Sequence, residues 1–221
     1  MTSLAGLLEY HGAASLDKQW ALSDLIGDAD WQVSISQGTI TFGGEKSFPI
    51  QVLGTESQGS GTWLWSWANA ASNLPPAVVR AAEELRDWGA EHGIPELTEA
   101  ELSLEAVSGH LLSMIAAGVL SADCYYRGPY EGGAVFLLLE APELRERLTP
   151  AIRIINVFVQ LISTFEVDHR RALLAYLQAR GYECEARGDE LVGFNQEGSI
   201  TFRFDDQDRF VSSNVHVGGR A

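Results

Sequence analysis

The sequence predicts an α+β protein in which antiparallel sheets carry helices packed on one face. Two observations lead to this class. Short segments that alternate apolar with polar residues recur in both halves of the chain, and the turns between them are too short for helical crossovers. Other segments carry apolar residues at helical spacing, and 46% of the 221 residues are hydrophobic, which is enough to build a sizeable core.

Each half of the chain is expected to contain a helix followed by a four-stranded meander. Acidic residues outnumber basic ones by 18 to 5 in residues 1–140 and by 12 to 10 in residues 141–221, and all six tryptophans lie in the first part. This difference in composition predicts two lobes, 1–140 and 141–221, with either separate cores or one shared core.

The first lobe is expected to open with a helix from about residue 15 to residue 26. Pro75-Pro76 then marks the start of a later helix, which Gly93 ends. Between these helices, alternation predicts four antiparallel strands joined by short turns. They cover residues 31–36, 39–42, 48–53 and 62–68.

The rest of the first lobe is expected to add a helix and a hairpin. Thr98 followed by Glu101 is a capping-box pattern, and it predicts a helix that ends before Gly118. Residues 122–127 and 134–139 follow as the two strands of the hairpin. Because residues 134–139 are apolar on both faces, we expect the second strand to be covered on both sides.

The second lobe is expected to begin with helices at residues 143–148 and 150–164. The β-branched residues of the second segment also suit a strand, but its length and its lack of alternation favour a helix. Residues 168–180 form a clearer amphipathic helix, closed by Gly181. A second meander follows. Its strands cover residues 182–186, 191–195, 199–204 and 210–217.

A row of tryptophans supplies the candidate ligand-binding residues. Trp63, Trp65 and Trp67 are spaced by two, so on a regular strand all three indoles project from one face. Together with Trp88 on the next helix, they could line a concave pocket for a flat or cationic ligand. The alternative is that the same indoles fill the core between sheet and helix, as aromatic stripes usually do.

No metal, cofactor or catalytic residue is predicted. The histidines lack the spacing of a helical metal site, the two cysteines form no C-x-x-C pair, and Asp205–Asp208 lacks the spaced ligands of a calcium loop. An enzyme hypothesis can nominate only the residues near Cys124 and the carboxylates on the helix after Pro76. Those carboxylates are Glu83, Glu84, Asp87 and Glu91.

The same features predict the cellular compartment and exclude two kinds of partner. Residues 1–10 lack the basic and long apolar segments of a signal peptide, and the apolar run 152–165 is interrupted and too short to cross a bilayer. We therefore expect a cytoplasmic protein that does not bind membranes. The formal net charge of -15 would repel a phosphate backbone, which argues against nucleic-acid binding.

One segment resembles a known family. Residues 61–69 read G-T-W-L-W-S-W-A-N, and Leu74-Pro75 and a helix follow. This W-x-W-x-W-A-N strand resembles a bacterial family of functionally uncharacterised proteins, over about residues 10–140. The resemblance implies a bacterial origin and a cytoplasmic fold, and it carries no activity.

Three function hypotheses follow, in order of preference. The first is a non-catalytic interaction or regulatory protein, of an accessory or immunity-like kind, whose acidic first lobe binds a basic protein partner. The second is a small-molecule binder with an aromatic pocket against the face of Trp63, Trp65 and Trp67. The third is an enzyme of unknown type. The sequence does not predict an oligomeric state.

Overall fold

The computed structural model describes residues 3–145 and 149–218, and these residues divide into two compact units. The first unit contains residues 3–4 and 18–145, and the second contains Ala5–Asp17 and residues 149–218. The first helix therefore contributes residues to both units. Within the described ranges, no helix has the length and apolar character needed to cross a membrane.

Most helices begin and end where the sequence signals predict. In the described residues they are α1 Leu4–Ile26, α2 Pro76–His92, α3 Gly109–Val119, α4 Ala151–Thr164 and α5 His169–Ala179. Helix α2 has a proline in its first turn and is closed by Gly93, whose φ of 66° suits glycine. The Asp168 carboxylate caps α5 by accepting a hydrogen bond from the Arg171 N–H. Helix α1 begins at Leu4, well before the predicted residue 15.

The first unit contains a seven-stranded antiparallel sheet. Its strands are β1 Trp31–Ser34, β2 Thr39–Phe42, β3 Lys46–Ser57, β4 Thr62–Trp65, β5 Glu101–Ser103, β6 Cys124–Tyr130 and β7 Gly133–Leu139. Lys46–Pro49 of β3 pair with β2, and Gly54–Ser57 pair with β4, so the first predicted meander is confirmed. The hairpin of β6 and β7 is also confirmed, and β7 joins the sheet by pairing with β3.

A β-bulge at Leu53 gives β3 one more residue than its partner β7. Val52 lies opposite Leu137, but the next pair along the strands joins Gly54 to Phe136. Because side chains alternate along a strand, the extra residue exchanges the faces that odd and even residues of β3 occupy.

Even-numbered residues of β3 therefore have different surroundings before and after the bulge. Before it, Ile50 and Val52 belong to a core cluster that includes residues of α1 and α2. Beyond it, the Glu56 carboxylate accepts a hydrogen bond of 2.7 Å from the Gly109 N–H at the start of α3. The bulge therefore directs Glu56 toward α3 and away from the apolar cluster.

The predicted class, antiparallel sheets packed against helices, is confirmed. Strand β7 is covered on both faces, as its uniformly apolar sequence predicts. Leu137 and Leu139 pack in the cluster with α1 and α2. Phe136, on the opposite face, lies against Gly109 of α3. The helices of the first unit are therefore not confined to one face of the sheet.

The strand predicted for residues 62–68 is too long. Strand β4 ends at Trp65, and Ser66–Ala68 form a 3₁₀ helix. The buried Ser66 hydroxyl donates a hydrogen bond of 2.6 Å to the Val52 carbonyl, which turns the chain away from the strand direction. Trp67 consequently does not continue the row of Trp63 and Trp65.

The helix predicted from Thr98 is wrong over its first half. Glu101, the expected partner in a capping box, lies in β5, where Leu102 pairs with Trp63. The Thr98 hydroxyl instead donates to the Pro95 carbonyl. Helix α3 begins only after Ser108, whose hydroxyl accepts a hydrogen bond from the Leu111 N–H. Backbone pairing at the sheet edge therefore outweighs the local capping signal.

The second unit contains a four-stranded antiparallel sheet with α4 and α5. The strands are β8 Glu183–Arg187, β9 Glu190–Asn195, β10 Gly198–Phe204 and β11 Phe210–Val217. They pair in chain order, which confirms the second predicted meander. Phe158 of α4 meets Phe202 and Phe210 edge to face, with ring centres 6.0 and 5.5 Å apart. Where a helix is predicted for residues 143–148, the structure has a 3₁₀ helix at Pro142–Leu144, and residues 146–148 lie outside the described ranges.

A buried carboxylate connects three helices within the second unit. Asp17 of α1 is 1% exposed. Arg153 of α4 and Arg180 after α5 each place a guanidinium nitrogen 2.6 Å from one of its oxygens, and the Tyr176 hydroxyl donates to it at 2.9 Å. A buried charge is tolerated only with such partners. Asp17 therefore fixes this part of α1 against α4 and α5.

Gly54→Ala is expected to destabilise the protein by about 1–3 kcal/mol, the usual cost of overpacking. An added Cβ would lie 2.5 Å from the Trp63 ring and 2.6 Å from the Leu64 carbonyl oxygen. Urea unfolding followed by tryptophan fluorescence measures the change. Gly59→Ala is the matched control, because its Cβ would find its nearest atom 3.9 Å away. Equal stability of the two variants would contradict this packing.

Asp17→Asn is expected to destabilise the second unit by about 3–5 kcal/mol, because two arginines lose their buried counter-charge. Hydrogen exchange at the amides of β9 and β10 reports the loss. Asp189→Asn serves as control, since the Asp189–Arg203 pair is more than half exposed and pairs of that kind contribute at most about 1 kcal/mol. A similar loss in both variants would show that burial of Asp17 is unimportant.

Candidate functional site

Two of the predicted ligand-binding residues lie inside the core. Trp63 and Trp65 on β4 are 0% exposed. Trp63 meets Trp65 and Phe136 edge to face, with ring centres 5.1 and 5.3 Å apart. The Trp65 indole N–H donates to the Glu96 carbonyl at 3.2 Å, whereas the Trp63 N–H has no acceptor among the described residues. This part of the aromatic face is packed and offers no surface to a ligand.

The other two predicted residues are partly exposed and lie on other elements. Trp67 is in the 3₁₀ helix after β4, and the Arg86 guanidinium lies 5.3 Å from its ring centre. Trp88 on α2 stacks on His92, with ring centres 4.0 Å apart. The structure does not gather the four indoles into one exposed surface. Ligand binding by these residues stays a prediction.

A concentration of carboxylates is the most distinctive surface feature of the first unit. Residues 83–105 contain eight acidic side chains and a single basic one, Arg86. Seven of the eight are exposed, and Glu96 is half-buried. We call these eight residues the acidic surface. They are Glu83, Glu84, Asp87, Glu91, Glu96, Glu99, Glu101 and Glu105.

Most of this charge has no ion-pair partner in the part of the chain that the structure describes. Glu84 pairs with Arg80 at 3.6 Å, and Asp87 pairs with Arg86 at 2.8 Å. The other six carboxylates have no ion-pair partner among the described residues. Six of the eight carboxylates of the acidic surface lie on α2, the 3₁₀ helix Pro95–Leu97 and the edge strand β5, whereas Glu99 and Glu105 lie in the segments before and after β5.

A recess of about 270 Å³ lies between α2, the loop before β6 and the end of β7. The Asp123 carboxylate on its wall accepts hydrogen bonds from two Arg145 nitrogens, at 2.6 and 2.8 Å, and from the Ala141 N–H at 2.8 Å. Burial raises the pKa of Asp123, but these hydrogen bonds outweigh burial and hold the pKa below its ordinary value. Because both oxygens are occupied, Asp123 joins two loops and is not available as an acid or base.

The Cys124 thiol, which the enzyme hypothesis nominates, is not activated. Cys124 is 0% exposed, and burial raises the pKa of its thiol to about 12, so the thiolate does not form near neutral pH. The nominated carboxylates of α2 are exposed and belong to the acidic surface. In the described part of the chain, no group of three or more His, Cys, Asp or Glu side chains could hold a metal ion.

Fluorine NMR of protein labelled with 5-fluorotryptophan distinguishes the buried indoles from the exposed ones. A soluble gadolinium chelate is expected to broaden the Trp88 and Trp67 signals and to leave those of Trp63 and Trp65 sharp, because the last two are fully covered. Trp→Phe variants assign the signals. Repeating the titration in urea, where all signals should broaden, is the control. Broadening of Trp63 in the native protein would reveal an open aromatic face.

Comparison with known proteins connects the chain to one family. The model of DUF6882, a family of unknown function, matches residues 5–142. No curated protein and no solved structure matches the chain. The matched region contains the tryptophan strand, the acidic surface and the whole described sheet of the first unit. Since the match covers well over half of the chain, the protein belongs to the DUF6882 family.

Proposed function

We propose that the protein is a non-catalytic interaction protein whose acidic surface binds a basic protein partner. One observation carries this proposal. Residues 83–105 contain eight carboxylates and a single arginine, and six of the carboxylates have no ion-pair partner among the described residues. A surface of one sign attracts a surface of the other sign and speeds its association.

The rigidity of the supporting elements favours recognition over simple solvation. The 3₁₀ helix that carries Glu96 is held to the rest of the unit by the hydrogen bond from Trp65. Leu97, its last residue, packs so closely on Gly89 of α2 that no Cβ fits between them. Carboxylates on fixed elements lose less conformational entropy when a partner binds. The six carboxylates that pair with no described cation can also bind a partner without first releasing one.

The partner is better sought among basic proteins than among nucleic acids, membranes or small ligands. Carboxylates repel phosphate groups, whether these belong to nucleic acid or to anionic lipid. A small aromatic ligand has no access to Trp63 or Trp65, which are fully buried. Lysine and arginine side chains are the groups that the acidic surface complements.

The resemblance to bacterial proteins and the two free cysteines support a cytoplasmic, accessory or immunity-like role in a bacterial cell. In that role the protein would regulate its partner by occupying a basic surface. The competing explanation is that the same charges keep the edge strand β5 from pairing with other chains. That explanation requires no partner.

Replacing five exposed, unpaired carboxylates by glutamine is expected to weaken binding of a lysine-rich peptide at least about tenfold. The five residues are Glu83, Glu91, Glu99, Glu101 and Glu105. Fluorescence anisotropy at low and at physiological ionic strength measures the dissociation constant, and binding by the unchanged protein should weaken as salt is added.

A matched variant separates the acidic surface from net charge. It replaces five other exposed acidic residues of the same unit by their amides, so that the net charge changes equally. They are Asp28, Asp30, Glu45, Glu131 and Glu140. This variant is expected to retain binding within about twofold. Equal weakening in both variants, or no binding by the unchanged protein, would refute the proposed function.

A further inference from the structure

Four polar side chains and one buried ring meet where α3 begins beside β3 and β6. No short-range sequence pattern brings all five together, because they come from four elements of the first unit. The Phe136 ring forms the floor and is 0% exposed. The polar members are Glu56 on β3, His110 on α3, and Tyr125 and Arg127 on β6.

The contact between His110 and Tyr125 fixes the tautomer of the histidine. The Tyr125 oxygen lies 3.1 Å from His110 Nδ1. Burial raises the pKa of Tyr125, so the hydroxyl keeps its proton, and Nδ1 is the acceptor that the described residues provide for it. Nδ1 of the neutral ring therefore accepts this hydrogen bond, and the ring proton lies on Nε2.

The histidine is neutral near pH 7 and presents a donor. Desolvation, and to a smaller degree Arg127, lower the pKa of His110, while Glu56 acts in the opposite direction. The ring packs edge-on against Phe136 at 5.5 Å, yet the residue remains exposed. Its Nε2–H is thus a hydrogen-bond donor that Tyr125 holds in place.

Arg127 is held in position, but its guanidinium N–H groups donate no hydrogen bond to a described residue. Its guanidinium lies 6.0 Å from the centre of the same Phe136 ring, and its Nε lies 3.9 Å from a Glu56 oxygen, which is too far for a hydrogen bond. The other Glu56 oxygen is held by the Gly109 N–H. Among the described residues, no group accepts a hydrogen bond from this guanidinium.

We propose that Arg127 and His110 form a binding site for a small oxyanion, a carboxylate or a phosphate group. The flat guanidinium fork matches two oxygens of such a group, and His110, whose ring packs on the same Phe136 ring as the guanidinium, supplies its Nε2–H as a further donor. The start of α3 adds a favourable field, but its first N–H is already bound to Glu56 and is not the site. Glu56 orients Arg127 and keeps the net charge low, so the affinity is modest.

The test follows the histidine ring signals of the full chain by NMR at constant ionic strength and pH 7.5. Sodium phosphate and sodium acetate are the two probes, added in separate titrations. The His110 signal is expected to shift and saturate with at least one of them. The His92 signal, from a histidine of the same unit that stacks on Trp88, is expected not to saturate. Saturation with both probes assigns a general oxyanion site, and saturation with one assigns that anion.

Arg127→Gln is expected to weaken binding of the anion that saturates the His110 shift about tenfold, because the charged guanidinium fork is lost. Arg86→Gln is the matched control, since Arg86 also lies over an aromatic ring and beside a carboxylate. Arg127→Lys, which keeps the charge and loses the fork, is expected to give an intermediate affinity. It serves as the second variant if Arg127→Gln proves unstable. No saturable shift at His110, or equal weakening by Arg86→Gln, would overturn the proposal.

Discussion

The sheet of the first unit depends on strand β3, which pairs with three other strands. Its first residues pair with β2 and its last residues pair with β4, while Ile50–Ser57 pair with β7 along the opposite edge, so β3 aligns three strands. The bulge at Leu53 changes the face of the sheet on which the even-numbered side chains of this strand lie. Before the bulge, Ile50 and Val52 pack in a cluster with residues of α1 and α2, and after the bulge Glu56 contacts the start of α3. Gly54 then leaves room for the Trp63 ring. The position of Glu56 beside α3 thus follows from the bulge, and the packing of Trp63 depends on the glycine next to it.

Local sequence signals were sufficient to predict elements whose ends are set by residues within or next to the element. Helix α2 lies between Pro76 and Gly93, and both meanders are marked by alternation and short turns. The signals failed where a distant segment decides the outcome. Leu102 becomes a strand residue because Trp63 pairs with it, although Thr98 precedes it with a capping pattern. The first half of α1 was missed because its apolar residues are spread around the helix and do not form a single stripe.

The two proposed sites differ in how far the sequence could reveal them. The acidic surface is a local property, because residues 83–105 are consecutive and their charge can be counted directly. The oxyanion site is not local. Tyr125 and Arg127 are two apart on a strand, so a shared face could be predicted. The approach of His110 and Glu56 requires the pairing of β3 with β7 and the position of α3, which no spacing in the sequence encodes.

The division of helix α1 between the two units has a consequence for where this chain could be cut into fragments. The family match ends at residue 142, yet Ala5–Asp17 near its start pack with α4 and α5, which lie beyond that point. Gly12 is so close to Leu161 that an added methyl group would collide with it. A fragment that ends at residue 142 would expose the apolar side chains of this helix. It would also leave the Asp17 carboxylate without Arg153 and Arg180. A fragment that keeps Asp17 paired must therefore extend beyond residue 142 and include Arg153 and Arg180.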